Sequence, residues 1–274
     1  MLRFLQCSQR TATAVVVMGM AAGGAYAQIT PVSYWSLGER TGDVAVDAIS
    51  GLDGVHQWGY AINQSGSQPA DGAVRYDVGG RVGLTVVPHS ELLLLEEGTL
   101  AFSMYSLDSI DYEGLVSKDA RGYGEAGHLS AWTWNATQAL HIGLADTQQY
   151  HVVRSGSLKA NRWYDVVFSW GAGGMHLYVD GALVDSDDFT GGLLNHEPLC
   201  FGASTRWSEV GVADPYCDFY SGLLDEIAIF NEALNPTQIQ DSFNVLRAVP
   251  LPTATGLAFA GALTAFGVLR RRRS

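Results

Sequence analysis

The fold of this chain is decided by the stretch Arg162-Trp-Tyr-Asp-Val-Val-Phe-Ser-Trp170, which continues as Gly171-Ala-Gly-Gly174 and Met175-His-Leu-Tyr-Val-Asp-Gly-Ala-Leu-Val184. Apolar and aromatic side chains occupy every second position of residues 164–170, and an extended chain places such side chains on one face. After the glycines, Met175, Leu177 and Val179 repeat this alternation. The stretch therefore predicts two antiparallel strands, each with one buried face.

Short turns are expected at both ends of the second strand. Glycine adopts positive φ at little steric cost, so the glycine-rich segment before Met175 suits a chain reversal. Asp180-Gly181 is typical of a two-residue type I′ turn, whose twist matches the flanking strands, and a third strand should follow from Ala182. A helical period would group Trp163 with Trp170, but the glycines and the β-branched residues favour strands.

Alternation of the same kind predicts further strands before this stretch. Their ranges are residues 73–78, 82–87, 99–105, 129–135 and 140–144. The four apolar residues 92–95 fit a strand or a helix, because a run this short between Pro88 and Gly98 does not distinguish the two. The pattern as a whole predicts an all-β domain.

Four motifs in a fixed order carry a resemblance to a known superfamily. They are Tyr34-Trp-Ser-Leu-Gly-Glu-Arg-Thr-Gly42 with Asp47, then Gly72-Ala-Val-Arg-Tyr-Asp77, then Trp163-Tyr-Asp-Val-Val with Leu177-Tyr-Val-Asp-Gly181, and finally Gly222-Leu-Leu-Asp-Glu-Ile-Ala-Ile-Phe230. The set resembles the laminin-G-like, concanavalin A-like lectin and glucanase superfamily over residues 28–245. The resemblance implies a two-sheet antiparallel jelly-roll sandwich.

The chain divides into three segments. Residues 1–27 have the pattern of a secretory signal peptide, because Arg3 and Arg10 precede an apolar run that ends in Ala25-Tyr-Ala27, and the run is too short to span a membrane. Cleavage is expected between Ala27 and Gln28. The jelly-roll domain then occupies residues 28–246 and should end in a short helix, since Asn235-Pro-Thr-Gln238 has the capping residues of a helix start.

Residues 247–274 combine the motif Val249, Pro250, Leu251, Pro252 with an apolar run and Arg270-Arg-Arg-Arg273. This tail resembles the PEP-CTERM sorting signal of Gram-negative bacteria, although Leu251 stands where the usual motif has glutamate. The resemblance implies an exosortase-type sorting protease as partner and a cell-surface or secreted product. The run is at the short limit for a hydrophobic transmembrane helix, so contact with the membrane through the tail, transient or permanent, is expected.

The charge distribution excludes one class of partner. The chain has a net charge of −12, but six of its sixteen basic residues, Arg3, Arg10 and Arg270 to Arg273, lie near the two ends of the chain, in segments that contain no acidic residue. The rest of the chain has 28 acidic residues against 10 basic ones, a charge of −18. Because nucleic-acid binding requires a positive field, no nucleic acid is expected as a partner.

The sequence offers no complete catalytic pair. Some members of the superfamily are glycosidases with a Glu-x-Asp-x-Glu strand, in which two carboxylates flank the sugar. In the corresponding segment, Glu226 is followed by Ala228 and Phe230 at the other two positions. No catalytic residue is therefore predicted, although a carboxylate pair from distant strands stays open.

Aromatic residues are the candidates for ligand contact. Trp132 and Trp134 are two positions apart and share a face of a strand, which suits a stacking platform for sugars as well as a buried core. Other aromatic residues lie in glycine-rich or polar segments, which we interpret as loops and where packing alone explains them less readily. These are Trp58, Tyr60, Tyr123, Trp207 and Tyr216.

Two further sites are expected. The resemblance implies a structural Ca²⁺ held by Asp225 and by main-chain oxygens of the opening segment, and a hydrogen bond at the strand end is the alternative role. The seven histidines show no zinc-binding spacing.

Cys200 and Cys217 should form a disulfide in an exported chain, with two buried thiols as the alternative.

These observations together predict a secreted, surface-sorted, non-catalytic module that binds an extracellular polysaccharide, a surface glycan or matrix. Two alternatives remain open. One is a divergent glycoside hydrolase or lyase, and the other is a purely structural surface protein.

Overall fold

Two antiparallel sheets of eight strands each pack face to face in the computed structural model, which describes residues 29–68, 72–107, 110–120, 126–205 and 216–246. Within these ranges one short α-helix, α1 (Pro236–Leu246), follows the last strand, and one 3-10 turn, Glu91–Leu93, occupies part of the apolar run at residues 92–95. The predicted all-β sandwich with a short C-terminal helix is therefore confirmed.

The strands of the described residues are numbered in chain order. They are β1 (Ser33–Trp35), β2 (Val44–Ala45), β3 (Gly54–Trp58), β4 (Tyr60–Ser65), β5 (Gly72–Tyr76), β6 (Gly83–Val87), β7 (Gly98–Ser106), β8 (Glu113–Lys118), β9 (Leu129–Trp134), β10 (Ala139–Ala145), β11 (Tyr150–Arg154), β12 (Trp163–Trp170), β13 (Met175–Val179), β14 (Ala182–Asp187), β15 (Leu199–Phe201) and β16 (Gly222–Phe230).

The chain crosses repeatedly between the sheets. Sheet A has the order β14-β13-β12-β7-β16-β5-β4, with β1 paired on β16, and sheet B has the order β11-β10-β9-β8-β15-β6-β3-β2. The stretch that predicted the fold forms three neighbouring strands of sheet A. Asp180 and Gly181 have φ values of 51° and 77°, as a type I′ turn between β13 and β14 requires.

The main hydrophobic core lies between the two sheets. The alternating side chains of β12, from Tyr164 to Trp170, all belong to this core, and so do Met175, Leu177 and Val179 of β13. Leu100, Phe102 and Met104 of β7 face the same layer. The faces that the sequence predicted as buried are therefore buried.

The outer face of sheet A is covered by the C-terminal helix. Leu234 and Ile239, at the start of α1, form a second apolar cluster with outward residues of sheet A such as Ala101 and Val167. Asn235 Oδ1 accepts hydrogen bonds from the main chain of the first turn, and Gln238 Oε1 accepts one from Asn235 N at 2.8 Å. This capping box confirms the predicted helix start.

Two positions that were predicted as loop residues lie on strands. Trp58 is the last residue of β3 and Tyr60 the first of β4, so only Gly59 separates the two strands. Trp58 has a φ of 65°, and this left-handed residue lets the chain pass from sheet B to sheet A without a longer loop. The prediction that Trp58 and Tyr60 lie in loops was wrong because the chain turns sharply at Gly59, so that the two strands follow each other without a loop.

The predicted terminal segments lie outside the described residues. This applies to the signal-peptide site at Ala27 and Gln28 and to the sorting motif Val249, Pro250, Leu251 and Pro252. Among the residues that the structure describes, none of the helices has the length and apolar character to cross a membrane.

Candidate functional site

The outer face of sheet B carries a row of aromatic rings. In β9, Leu129 and Ala131 point into the core, so Trp132 points outward. In β10, Leu140 and Ile142 point inward, and His141 points outward directly opposite Trp132 in the strand register. Residues that face each other across two strands pack side by side, so the two rings lie together on this face.

Five rings, including these two, form a continuous series of contacts, and we call them the aromatic row. His141 lies between the two tryptophans, with its ring centre 5.4 Å from that of Trp132 and 5.3 Å from that of Trp134. At the two ends, Tyr112 contacts Trp134 at 6.2 Å and Tyr150 contacts Trp132 at 6.4 Å. The row therefore extends over neighbouring strands of sheet B.

Exposure changes along the aromatic row. Trp134 is 42% exposed and Tyr112 is 37% exposed, whereas Trp132 is 9% exposed and His141 is buried. The sequence left open whether the tryptophan pair forms a platform or core, and each residue takes a different role. Trp134 is the last residue of β9, and its ring is exposed to solvent. Trp132 lies in the middle of the strand, and its largely buried ring packs against its neighbours in the row.

Two buried polar atoms of the aromatic row have no hydrogen-bond partner among the described residues. They are Nε1 of Trp132 and Nδ1 of His141. Burial, with a smaller contribution from the positive charge of Arg154, lowers the pKa of His141 to about 4. His141 is therefore neutral at physiological pH, and Arg154, which pairs with it from β11, places an exposed cation beside the row.

A hydrogen-bonded network fixes the Tyr150 end of the row. The Tyr150 hydroxyl donates to Asp119 Oδ2, and the ring Nδ1 of His128 lies 2.8 Å from Asp119 Oδ1. Asp119 is fully buried and also accepts the Ala120 N–H at 2.7 Å. Both carboxylate oxygens are thus engaged, and the network positions Tyr150 against Trp132.

A second aromatic cluster lies on the same side of sheet B. Trp58 is 52% exposed and contacts Tyr216 at 6.0 Å and Phe219 at 6.1 Å between ring centres. Tyr216 and Phe219 pack on a small apolar cluster of β6 and β15. We call these three residues the Trp58 cluster.

Gly114 lies between the two groups of rings. It lies opposite Trp132 in the register of β8 and β9, and its N–H donates to the carbonyl of Asp218 at 2.5 Å. A Cβ at this position would clash with the main-chain nitrogen of Ser204, so the chain can cross β8 here only over a glycine. The Trp58 cluster and the aromatic row therefore lie on either side of this crossing.

The remaining predicted contact residues divide into two groups. Tyr60 packs against the main core and its ring lies 5.0 Å from that of buried His56, so it is a structural residue. Tyr123 and Trp207 lie outside the described residues. The sequence analysis did not select Tyr112, His141 or Tyr150, because only the strand register places them beside the tryptophans.

The carboxylates named from the sequence lie on sheet A. Glu226 is buried, and its Oε2 accepts a 2.6 Å hydrogen bond from the Tyr34 hydroxyl. Asp225 is fully buried, and its Oδ2 accepts the N–H of Ser67 at 2.8 Å. The hydrogen bond that was considered as the alternative role of Asp225 is therefore present, and its donor lies in the segment after β4.

Glu113 is a carboxyl group with an unusual environment that the sequence did not reveal. It is 9% exposed, and its Oε2 has no hydrogen-bond partner among the described residues. Burial raises the pKa of Glu113 to about 7, against a smaller lowering by a hydrogen bond from the main chain of Ser221. This carboxyl group is therefore partly protonated near neutral pH.

Cys200 and Cys217 are both thiols in the structure, so it does not show the predicted disulfide. Cys200 is buried and donates to the carbonyl of Phe201 at 3.8 Å, and Cys217 donates to the carbonyl of Ser204 at 3.6 Å. Burial raises the pKa of the Cys200 thiol, which makes it a poor nucleophile in the folded protein.

Comparison with known proteins agrees with this architecture. Residues 84–240 match the family model described as the concanavalin A-like lectin/glucanases superfamily, of the laminin-G type. The chain belongs to this superfamily. None of the curated proteins compared with this concanavalin A-like chain matches its sequence.

Solved structures with the same fold include both binding domains and enzymes. Domain 4 of AbnA, an extracellular GH43 arabinanase from Geobacillus stearothermophilus in complex with arabinotriose, matches with a TM-score of 0.55 and 13% identity over 78% of this chain and 98% of that one. The binding domain of botulinum neurotoxin DC in complex with SialylT matches with a TM-score of 0.53 and 17% identity, over 78% of this chain and 50% of that one. Trypanosoma rangeli sialidase matches with a TM-score of 0.51 and 15% identity, over 77% of this chain and 32% of that one.

At these identities the likeness shows the fold of the concanavalin A-like domain alone. The chain spans nearly all of the arabinanase domain, half of the toxin domain and a third of the sialidase chain. The superfamily contains non-catalytic binding domains as well as glycosidases, so the functional argument depends on the residues of this chain.

Proposed function

We propose that this concanavalin A-like domain binds an extended glycan on the outer face of sheet B and does not cleave it. The observation that carries the proposal is Trp134, an exposed indole near the Tyr112 end of the aromatic row. The C–H faces of sugars stack on such rings, and the rigid scaffold of strands beneath holds the ring in place.

Polar groups beside Trp134 suit the hydroxyl groups of a sugar. Arg154 is exposed, and Trp132 Nε1 and His141 Nδ1 lie just below the surface without a partner among the described residues. A ligand hydroxyl or an ordered water that reaches these atoms would satisfy them. Arg154 also favours sugars that carry a carboxylate, in a chain whose own charge is strongly negative.

The fold neighbours support a glycan as the ligand class. One of them is a complex with arabinotriose and another is a complex with SialylT, and both are described as domains of larger proteins. The match at low identity transfers no ligand to this chain. It makes carbohydrates the first class to test.

Cleavage would require a proton donor and a second carboxylate on opposite sides of the scissile bond. Glu226 lies on sheet A and is engaged by Tyr34, and Asp119 is engaged by Tyr150 and His128. The glycoside hydrolase alternative is favoured by one observation, the raised pKa of Glu113, since a carboxyl group protonated near pH 7 can act as a general acid.

A glycan array followed by calorimetry on the purified domain tests the proposal. The array should contain neutral and uronate-containing polysaccharides. Trp134→Ala should weaken binding about tenfold, which corresponds to about 1.4 kcal/mol, and leave the melting temperature near wild type. Leu183→Ala changes another exposed apolar residue, on the edge strand of sheet A, and is the control variant, which should change neither binding nor the melting temperature.

Parallel variants separate the competing functions. If Trp58→Ala and not Trp134→Ala abolishes binding, the ligand sits on the Trp58 cluster and the proposed location is wrong. Release of reducing ends by the pure domain, lost in Glu113→Gln, would establish the glycoside hydrolase alternative. Absence of binding to every polysaccharide would favour the purely structural surface protein.

We also propose that the domain is exported and sorted to the cell surface. The support comes from the sequence of residues 1–27 and 247–274, with the cleavage site Ala27 and Gln28 and the tripartite tail. Mass spectrometry of cell fractions should find Gln28 as the first residue of the mature protein and a membrane-associated precursor. An intact Met1 in the mature protein would contradict export by cleavage.

A further inference from the structure

A cluster of three side chains with metal-binding atoms lies beyond the ends of two strands of sheet B and shares no residue with the aromatic row. His89 and Glu91 follow β6, and His196 precedes β15, which is the neighbour of β6 in the sheet. One ligand atom from each residue lies within 4.8 Å of the other two. We propose that His89, Glu91 and His196 bind a divalent transition-metal ion such as Zn²⁺.

The distances are close to those of a coordination site. In a tetrahedral zinc site, metal–ligand bonds of 2.0–2.2 Å place neighbouring ligand atoms about 3.4 Å apart. His89 Nε2 lies 3.5 Å from Glu91 Oε1, which already satisfies this requirement. The His196 ring is centred 5.1 Å from that of His89, and one of its nitrogens lies within 4.8 Å of the other two ligand atoms, so a side-chain rotation is needed to bring it to coordination distance.

Buried hydrogen bonds hold the main chain beside His196. Asn195 is fully buried, and its amide donates to the carbonyls of Lys118 at 2.8 Å and Gly127 at 2.7 Å. Its Oδ1 accepts the N–H of Glu197 at 2.9 Å. The main chain on both sides of His196 is therefore fixed, and the loss of freedom on metal binding is confined to side chains.

The main chain beside Glu91 is fixed as well. Ser90 caps the 3-10 turn that begins at Glu91, and its side chain accepts the Leu92 N–H at 3.3 Å. His89 follows β6 after Pro88, at a position set by the pairing of Val87 with Leu199. The two ligand-bearing segments are thus attached to paired neighbouring strands.

Lys118 lies on the inner side of His89 and affects its ability to bind a metal. Its buried ammonium group donates to the carbonyl and to Oδ1 of Asn195, and it lies 3.5 Å from Nδ1 of His89. Nδ1 therefore faces Lys118, and Nε2 faces Glu91 on the outside. A neutral His89 that binds a metal through Nε2 must carry its proton on Nδ1, towards the Lys118 ammonium. This competition and the nearby positive charge both oppose a bound cation, so the site should bind less tightly than a closed structural zinc site.

The donor set selects the class of metal. Two imidazoles and one carboxylate suit Zn²⁺, Ni²⁺ or Cu²⁺, whereas Ca²⁺ requires six to eight oxygen ligands. Glu91 and His196 are exposed, which leaves room for water at the remaining positions. A bound ion would link the segment after β6 to the segment before β15 and stabilise that end of the sheet.

Thermal melting of the domain without a polyhistidine tag tests the proposal, with Zn²⁺, Ca²⁺ or chelator added. Zn²⁺ at a hundredfold excess over its Kd should raise the melting temperature by about 5–10 °C. His196→Gln should abolish this rise, and calorimetry should show one zinc site lost. His176→Gln changes a partly exposed histidine outside the cluster. This variant should keep both the rise in melting temperature and the zinc site.

Three outcomes would overturn the proposal. They are no rise with Zn²⁺ in the wild-type protein, an equal rise in His196→Gln, and an equal rise with Ca²⁺ that His196→Gln leaves unchanged. Because His196 is exposed, the variant should melt like the wild type in chelator. Glu91→Gln provides an independent second variant, which should weaken zinc binding at least tenfold.

Discussion

The Tyr34 hydroxyl donates a 2.6 Å hydrogen bond to the Glu226 carboxylate, although 192 residues separate the two in the sequence. Tyr34 lies on β1 and Glu226 on β16, and the two strands pair in sheet A. Glu226 has a φ of 55° at an irregularity of β16, which turns its side chain out of the regular alternation. The carboxylate that the sequence suggested as part of a glycosidase strand therefore ties the first strand to the last.

Tyr34→Phe should destabilise the domain by about 1.5–3 kcal/mol, because it removes a buried hydrogen bond to a charged group. Equilibrium unfolding in urea measures the loss. Tyr60→Phe is the matched control, since the Tyr60 hydroxyl makes no hydrogen bond with the described residues, and it should have little effect. Equal stability of Tyr34→Phe and wild type would show that the bond contributes nothing.

Stability should fall as pH rises through the pKa of Glu113. Burial raises that pKa from 4.5 to about 7, so the folded state holds a proton that the unfolded state releases. The stabilising contribution is fully present below about pH 4.5 and is lost as pH passes about 7. Glu113→Gln removes this dependence, and relative to wild type it should gain about 2 kcal/mol between pH 5 and pH 8.

Urea unfolding of both proteins at several pH values measures the Glu113 effect. Glu232→Gln changes an exposed glutamate and should follow the wild-type pH profile. Identical profiles for Glu113→Gln and wild type would mean that Glu113 ionises normally in the folded protein.

The two mature-chain cysteines are predicted to pair after export. Alkylation under denaturing, non-reducing conditions should then label neither Cys200 nor Cys217 in protein from an oxidising compartment. The bond would close a loop of 17 residues. Its reduction should cost about 3 kcal/mol of stability in the chain-entropy description. Labelling of both residues would instead support the two separate thiols seen in the structure.

Calcium at Asp225 remains a proposal, and chelation tests it. An ion that binds only the folded state at a hundredfold excess over its Kd would stabilise by about 2.7 kcal/mol, and EDTA should lower the melting temperature accordingly. Asp225→Asn should show no response to Ca²⁺. A melting curve that is the same with and without Ca²⁺ would leave Asp225 with its hydrogen-bonding role, which includes the bond from Ser67.

The recurrence of apolar side chains at every second position was sufficient to predict the main strands and their buried faces. The reason is local, because the side chains of Tyr164, Val166 and Phe168 alternate whatever the partner strand is. The same reasoning could not separate Trp132 from Trp134. Their environments depend on where β9 ends and on the neighbouring Tyr150 and Tyr112, which the sequence does not specify.

Sites made from distant segments were missed for a related reason. His89 and His196 lie far apart in the sequence, so no local spacing indicates that they meet. His141 joins the aromatic row only through its register with Trp132. The corner at Gly59 likewise placed Trp58 and Tyr60 on strands, where composition alone had indicated loops.

The position of α1 on sheet A determines how the domain can face its surroundings. The helix covers the outer face of sheet A and ends at Leu246, whereas the aromatic row lies on the outer face of sheet B. The C-terminal end of the domain, at α1, and Trp134 therefore lie on opposite faces of the sandwich. A domain held through that end would direct its exposed tryptophan away from the point of attachment, towards polymers that approach from outside.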